Sequence, residues 1–285
     1  MFKEEDREIL EKCPWCGAGE YTDWGEAVRG FCSVRCGKCS LIYIKNRFNQ
    51  KGLEKFYERY LSNVHQADKE LNEKRGRMYT IEFDLINTCC AQGEVLDVGC
   101  SGGYFLDHFK KAGFKCYGVE FGREASKEAA KKHQVYFGDF AELEIDVKFD
   151  LIMFRGVIEH TLYPKTYLQK AMRLLKEGGF IYITSTPNSE SFCCKLFLEQ
   201  WNQHEPEGHL MHFNARHFDD LFKANGFKKA AEYYYYEETP YADTVNDIEL
   251  VAKAITLHRE GKRIDFRSPP FYRNMMSLIY KKDCK

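Results

Sequence analysis

No stretch of this chain approaches the ~20 consecutive apolar residues that a bilayer-spanning helix requires, so no membrane partner is expected. The opening run, MFKEEDREILEK, is charged and amphipathic and lacks the apolar core of a secretory leader, which points to the cytoplasm. Long basic runs are missing as well, and the net charge is −1. Neutralising a duplex phosphate backbone takes clustered Lys and Arg, so nucleic acid is not expected to be the main partner. What remains is a globular composition, 44% hydrophobic and 30% charged. The 285 residues suffice for one large α/β domain and a small appendage.

Cysteine, by contrast, is abundant. Of twelve, four stand in CxxC pairs and four in the doublets Cys89-Cys90 and Cys193-Cys194. In a cytosolic chain this favours metal binding and free thiols over disulfides. Cys13 and Cys16 flank Pro14-Trp15, Cys36 and Cys39 flank Gly37-Lys38, and nineteen residues separate the pairs. Each such turn points two thiolates at one ion, and two turns complete a tetrahedron. Residues 1–48 therefore read as a zinc-binding module held by Cys13, Cys16, Cys36 and Cys39, with Gly17 and Gly37 easing the turns. Four thiolates leave no position for water, so the expected Zn2+ is structural. Its binding supplies folding energy that ~40 residues hardly find in a core of their own. Cys32, four residues before Cys36, is a spare ligand.

Residues 49–92 read as a helical connector or lid. Leu53, Phe56, Tyr57, Tyr60 and Leu61 recur at helical spacing, as do Met78, Ile81, Phe83, Leu85 and Ile86. From residue 93 onward strands and helices alternate. A short apolar strand, residues 93–98, runs into the turn Gly99-Cys-Ser-Gly-Gly103, and Tyr104, Phe105, Leu106 and Phe109 start a helix. A glycine turn between strand and helix lets backbone and cofactor approach closely. A second strand, 115–119, ends in Glu120, an acid placed to hold both hydroxyls of a ribose. Further strands are expected at 134–137, leading to Asp139, and at 149–154.

The turn lacks the Gly-x-Gly-x-x-Gly spacing of a dinucleotide site, and Asp97 stands two residues before it. That acid would repel a pyrophosphate and suits a positively charged amino-acid or sulfonium cofactor. At this point the chain resembles the class I S-adenosylmethionine-dependent methyltransferases, from about Glu94 to its end. VLDVGCSGG resembles their first motif, Glu120 the ribose acid and Gly138-Asp139-Phe140 the adenine-side acid. FDLIMFRGVIEHTLYP resembles their fourth-strand motif and LLKEGGFIYITSTPN their fifth strand. HLMHFNARHFDDLFKANGF is similar to a segment of bacterial small-molecule methyltransferases with an N-terminal zinc ribbon, many of which are thought to act on sugars.

The resemblance implies an α/β, Rossmann-like seven-stranded sheet of order 3-2-1-4-5-7-6 in residues 93–285. Its last strand, 275–281, would run antiparallel between strands 5 and 6, and about 240–262 would be a helical insertion. Locally, Pro164 starts a helix to about Lys176 that Gly178-Gly179 stops, with strand five at 180–184. Asn214 caps a helix over 215–224, Gly226 ends it, and Tyr233–Tyr236 continues strand six. The expected S-adenosylmethionine contacts are Asp97, Gly99, Cys100, Ser101, Gly102, Gly103, Tyr104, Phe105, Glu120, Phe121, Asp139, Phe140 and Arg155.

Methyl transfer needs nucleophile, methyl and sulfur in line and, for a hydroxyl acceptor, a base at its oxygen. Glu159-His160 follows strand four at the edge where open α/β sheets bind ligands. In ubiquinone-type O-methyltransferases an additional acid three residues earlier helps hold a divalent ion; here that position is Gly156, which argues against a catalytic Mg2+. His209 and His212 lie in a loop expected to cover the site and suit general-base work, whereas His204 and His217 suit packing or capping. With a metal already assigned to cysteine, the histidines are not read as a second zinc site. The expected acceptor is a small hydroxyl-bearing molecule of the sugar or sugar-nucleotide kind. Two alternatives stay open. One is an rRNA or tRNA methyltransferase gripping RNA through its zinc module, although the Asn/Asp-Pro-Pro-aromatic run of adenine amino-methylases is replaced by Met153-Phe-Arg-Gly156. The other is a non-catalytic S-adenosylmethionine-binding interaction protein.

Overall fold

The computed structural model describes residues 3–64 and 69–284. The front of the chain forms three short antiparallel strands, β1 (Tyr21–Asp23), β2 (Ser33–Cys36) and β3 (Ile42–Ile44). Two helices follow, α1 (Gln50–Val64) and α2 (Lys69–Asn87). Leu53 and Phe56 of the first apolar stripe pack on the core; the side chains of Tyr60 and Leu61 lie outside the described residues. Among the described residues no helix is long and apolar enough to cross a membrane.

The rest is a doubly wound sheet. Its strands are β4 (Glu94–Val98), β5 (Lys115–Glu120), β6 (Gln134–Phe137), β7 (Phe149–Arg155), β8 (Leu175–Pro187), β10 (Phe227–Tyr233) and β11 (Met275–Lys282), with β9 (Met211–His212) set apart. The spatial order is β6-β5-β4-β7-β8-β11-β10. Counted within this domain alone, that is the 3-2-1-4-5-7-6 order expected from the sequence. β11 lies antiparallel to both neighbours, and the other pairs are parallel. The central strand β7 carries a continuous apolar run, Leu151–Phe154, because helices cover both faces of the sheet.

The pleat divides each strand's side chains between two cores. Leu151 and Met153 face α2 and α3 (Leu106–Lys111), against Ile86, Phe105 and Phe109. Ile152 and Phe154 face the other way, toward α5 (Pro164–Leu174) and α7 (Ala215–Ala224). That second core is continuous with the front module: Trp15, Phe31, Tyr43 and Phe48 belong to it. Trp15 meets Phe213 edge-on at 5.3 Å.

Three local expectations shift. α5 ends at Leu174, because Leu175 already pairs with Phe149, so β8 begins before Gly178. Only Tyr233 of the four tyrosines lies in β10; Tyr234–Tyr236 leave the sheet after pairing with β11 ends at Ser277. The insertion is one helix, α8 (Thr244–Arg259), capped by the Asp243 carboxylate. Asn214 caps α7 as expected, accepting from the His217 N–H.

The fourth strand of the front sheet comes from far along the chain. β9 pairs with β3, Ile42 opposite His212 and Tyr43 opposite Met211. The Ile44 N–H donates to the Leu210 carbonyl at 3.0 Å, and the Leu210 N–H donates to the Glu159 carbonyl at 2.9 Å. The front module thus holds the loop that carries His209 and His212 against the end of β7.

Candidate active site

At the carboxyl edge of β4 the chain turns sharply, with Gly99 at φ +79°, Ser101 at +49° and Gly103 at +77°. A side chain at Gly99 would meet Val157 Cγ2 at 2.6 Å, so only glycine fits. Glu120, at the end of β5, accepts from the N–H of Ser101 at 2.7 Å and of Gly122 at 2.6 Å. The acid at the second strand therefore clamps the turn at the first. Asp97 is 2% exposed, and its Oδ1 has no hydrogen-bond partner. Burial, with Glu120 and Glu82 nearby, pushes its carboxyl up to about 8. A buried carboxylate oxygen without a partner is what a cofactor ammonium group would satisfy, so these residues fit S-adenosylmethionine.

The other expected cofactor residues divide. Tyr104 and Phe121 are half-exposed near the same edge, while Cys100, Phe105 and Phe140 are buried and their side chains pack. Phe140 lies against Phe154 and Tyr167. Asp139 Oδ1 accepts from the Tyr167 hydroxyl and the Ala141 N–H, both at 2.7 Å, which braces the end of β6. Arg155 closes β7, its guanidinium 4.6 Å from the Tyr79 ring and its Nε bonded to Glu82.

Glu82 is the polar residue that sequence reading missed. It is fully buried on α2 and also accepts from Thr184 Oγ1 at 2.9 Å and Ser185 Oγ at 2.6 Å. It thereby ties α2 down over the carboxyl edge. The signal was present: Glu82 interrupts the apolar stripe midway between Met78 and Ile86.

Glu159, His160 and His209 come together, their donor atoms within 4.8 Å of one another. The His160 and His209 rings meet edge-on at 4.7 Å. Each Nδ1 faces a backbone carbonyl, Gly208 at 3.0 Å for His160 and Gln203 at 2.6 Å for His209. That fixes the Nδ1–H tautomer and leaves Nε2 with its lone pair. Burial pushes Glu159 up to about 8 and His160 down to about 3, and lowers His209. His212 adjoins this cluster, its ring 6.2 Å from that of His209, without belonging to it. It is fully buried in β9, its Nε2 sits 2.9 Å from His204 Nδ1, and Trp24 and Trp201 pack around it. Burial holds it well below the ordinary histidine value. His217 serves the α7 capping box.

In the front module the four sulfurs of Cys13, Cys16, Cys36 and Cys39 converge within 4.8 Å. Cys13 and Cys39 lie 3.7 Å apart, Cys16 and Cys36 3.5 Å. A tetrahedron with Zn–S bonds of ~2.3 Å has edges of about 3.8 Å, so the donor set fits Zn2+. Cys32 is exposed and outside the cluster. The residue after each pair takes a left-handed conformation, Gly17 at φ +75° and Ser40 at +63°; Gly37 does not.

A glycine turn, an acid clamping it and an order reversal between β4 and β7 define a cofactor-binding α/β domain of the class I methyltransferase fold. Residues 48–232, more than half of the chain, match the family profile described as a methyltransferase domain, and the chain belongs to that family. A ubiquinone biosynthesis O-methyltransferase of Nitrosococcus oceani is 26% identical over 125 residues, 39% of this chain and 52% of the relative. The chain thus spans about half the length of the first curated relatives it matches. Among solved structures, magnesium protoporphyrin IX methyltransferase of Synechocystis PCC 6803 with bound SAH is similar at TM-score 0.53, with 13% identity, 80% of this chain and 94% of that one. A possible histamine N-methyltransferase of Thermotoga maritima is similar at TM-score 0.53, with 18% identity, 81% of this chain and 97% of that one.

Proposed function

We propose that this chain transfers a methyl group from S-adenosylmethionine to a hydroxyl of a small-molecule acceptor, with a structural Zn2+ in its front module. The observation that carries the reading is Asp97, a buried carboxylate with an unpartnered oxygen beside a turn clamped by Glu120. Asp97 would hold the cofactor's ammonium group, the Gly99–Gly103 turn would admit its backbone-close approach, and Glu120 would take the ribose hydroxyls. Bound there, the cofactor supplies an electrophilic methyl whose carbon–sulfur bond breaks as the acceptor oxygen forms a new carbon–oxygen bond.

The chain's own part is to orient the acceptor and take its proton. His209 fits that role. Its Gln203 bond leaves Nε2 as proton acceptor, its lowered pKa keeps it neutral at pH 7, and it retains some exposure where His212 has none. Glu159 and His160 border the same point. The family expectation of a sugar-like acceptor rests on the sequence resemblance, while the curated relative named above points toward ubiquinone biosynthesis.

Calorimetry with S-adenosylhomocysteine tests the reading. Micromolar affinity, about −8 kcal/mol, is expected for the wild type. Glu120→Ala should weaken it by about 1.5–3 kcal/mol through loss of charge-assisted bonds. Absence of binding, or binding of NAD instead, would refute the assignment.

A further inference from the structure

A cavity of about 490 Å3 opens at the carboxyl edge beside Arg155 and Ser185. Its described walls come from six places in the chain: α2, the end of β7, β8, the loop at 202–203, the segment after β10 and the segment leading into β11. Met78, Tyr235, Tyr236, Tyr241, Phe271 and Met275 are the large side chains among its lining residues. The size is that of a small-molecule site, and Gln203, whose carbonyl fixes His209, lines it.

The polar atoms in its walls are largely committed to the protein itself. The Tyr236 hydroxyl donates to Asp247 at 2.9 Å and the Tyr235 hydroxyl to the Ile81 carbonyl at 3.4 Å, so both residues offer rings. Thr239 Oγ1 donates to the Tyr236 carbonyl at 2.7 Å, and Ser185 Oγ to Glu82. Asn274 Nδ2 donates to Asn202 Oδ1 at 2.7 Å, while Asn274 Oδ1 accepts from Trp201. Among the described residues no carboxylate lines the cavity, and its one cation, Arg155, is paired with Glu82.

A sugar brings a ring of hydroxyls, and each one buried without a partner costs about 1–3 kcal/mol. A planar unsaturated ring brings apolar faces that stack on aromatic side chains and needs partners only for its few substituents. We propose that this cavity is the acceptor site and that its ligand is a flat phenol-type ring carrying the hydroxyl that is methylated. The inference rests on the methyl-transfer reading above and names its acceptor class. The balance is that of a simple displacement: the phenolic oxygen gains the methyl, the cofactor sulfur keeps the electron pair of the broken carbon–sulfur bond, and the O–H proton passes through water to His209, which the wall residue Gln203 holds but which does not itself line the cavity.

The test uses the full-length protein with and without S-adenosylhomocysteine, and catechol, naphthol, methyl glucoside and UDP-glucose as probes. Binding is followed by ligand-observed NMR. Catechol and naphthol should bind at least about tenfold tighter than either sugar probe. Phe271→Ala and Tyr241→Ala should each weaken naphthol about tenfold while leaving S-adenosylhomocysteine affinity unchanged. Sugar binding as tight as phenol binding, absence of phenol binding, or indifference of naphthol to both substitutions overturns the proposal. Phenol binding without any S-adenosylhomocysteine binding would instead overturn the methyl-transfer reading and leave the cavity's preference standing.

Discussion

Among the described residues two clusters of donor atoms stand out, each within 4.8 Å, and they are built in opposite ways. The cysteine cluster is local. Two repeated turns deliver their thiols in pairs, within a module of three short strands. The Glu159–His160–His209 cluster is assembled by tertiary structure. Its members come from the loop after β7 and the loop before β9, with all of β8 between them. Its rings are oriented by backbone carbonyls that the fold has already fixed. A cluster that makes its own scaffold is spent on stability. A cluster that receives its scaffold ready-made is free for chemistry.

Removing the metal strikes the first cluster and should have the largest effect. Elemental analysis should find one zinc per chain, and Cys36→Ser should lose most of it, with a stability loss above about 4 kcal/mol by denaturant melts. Full zinc retention in that variant would break the assignment of the four cysteines. At the second cluster the contrast inverts. His209→Ala should lower kcat about 10²–10⁴-fold with little change in melting temperature. His212→Ala should instead cost about 2–4 kcal/mol of stability, because it empties a packed site and strands His204. Similar outcomes for the two variants would dissolve the distinction.

Titration sharpens it further. With His209 as base, the rate rises with pH and levels off below the ordinary histidine value of 6.5, because burial lowers its pKa. With Glu159 as base, the rise runs through about 8. The pH–rate profile of kcat decides between them. The smallest effect concerns Asp97. Its carboxyl, pushed up to about 8, is mostly protonated at pH 7 in the free protein. An incoming ammonium favours the carboxylate, so binding should release close to one proton, and affinity should rise with pH toward 8. Calorimetry in buffers of different ionisation enthalpy reads this directly.

The sequence made the cysteine cluster legible residue by residue, since its geometry repeats at fixed spacing. Strands β4 to β7 were legible because each is a short, largely apolar run that ends at or runs into a glycine or an acid, and the sheet order was what the family resemblance implied. The histidines were legible only as a group. Nothing in HLMHF says that His209 turns toward Glu159 while His212 turns into the wall, because a two-residue strand decides it. Glu82 was hidden for a similar reason. Its partners Arg155, Thr184 and Ser185 lie 73 to 103 residues away in sequence. The cavity drew on six separate segments, and no local pattern announces such a meeting.

The pairing of β9 with β3 has a consequence for inheritance. Because the strand that carries His212 is completed by hydrogen bonds from Ile42–Ile44, the front module is no detachable accessory. A descendant that discarded residues before 48, where the family resemblance begins, would leave Leu210–His212 with an exposed edge beside Glu159. The module and the Leu210–His212 segment are thus one structural unit, although about 160 residues of chain lie between them.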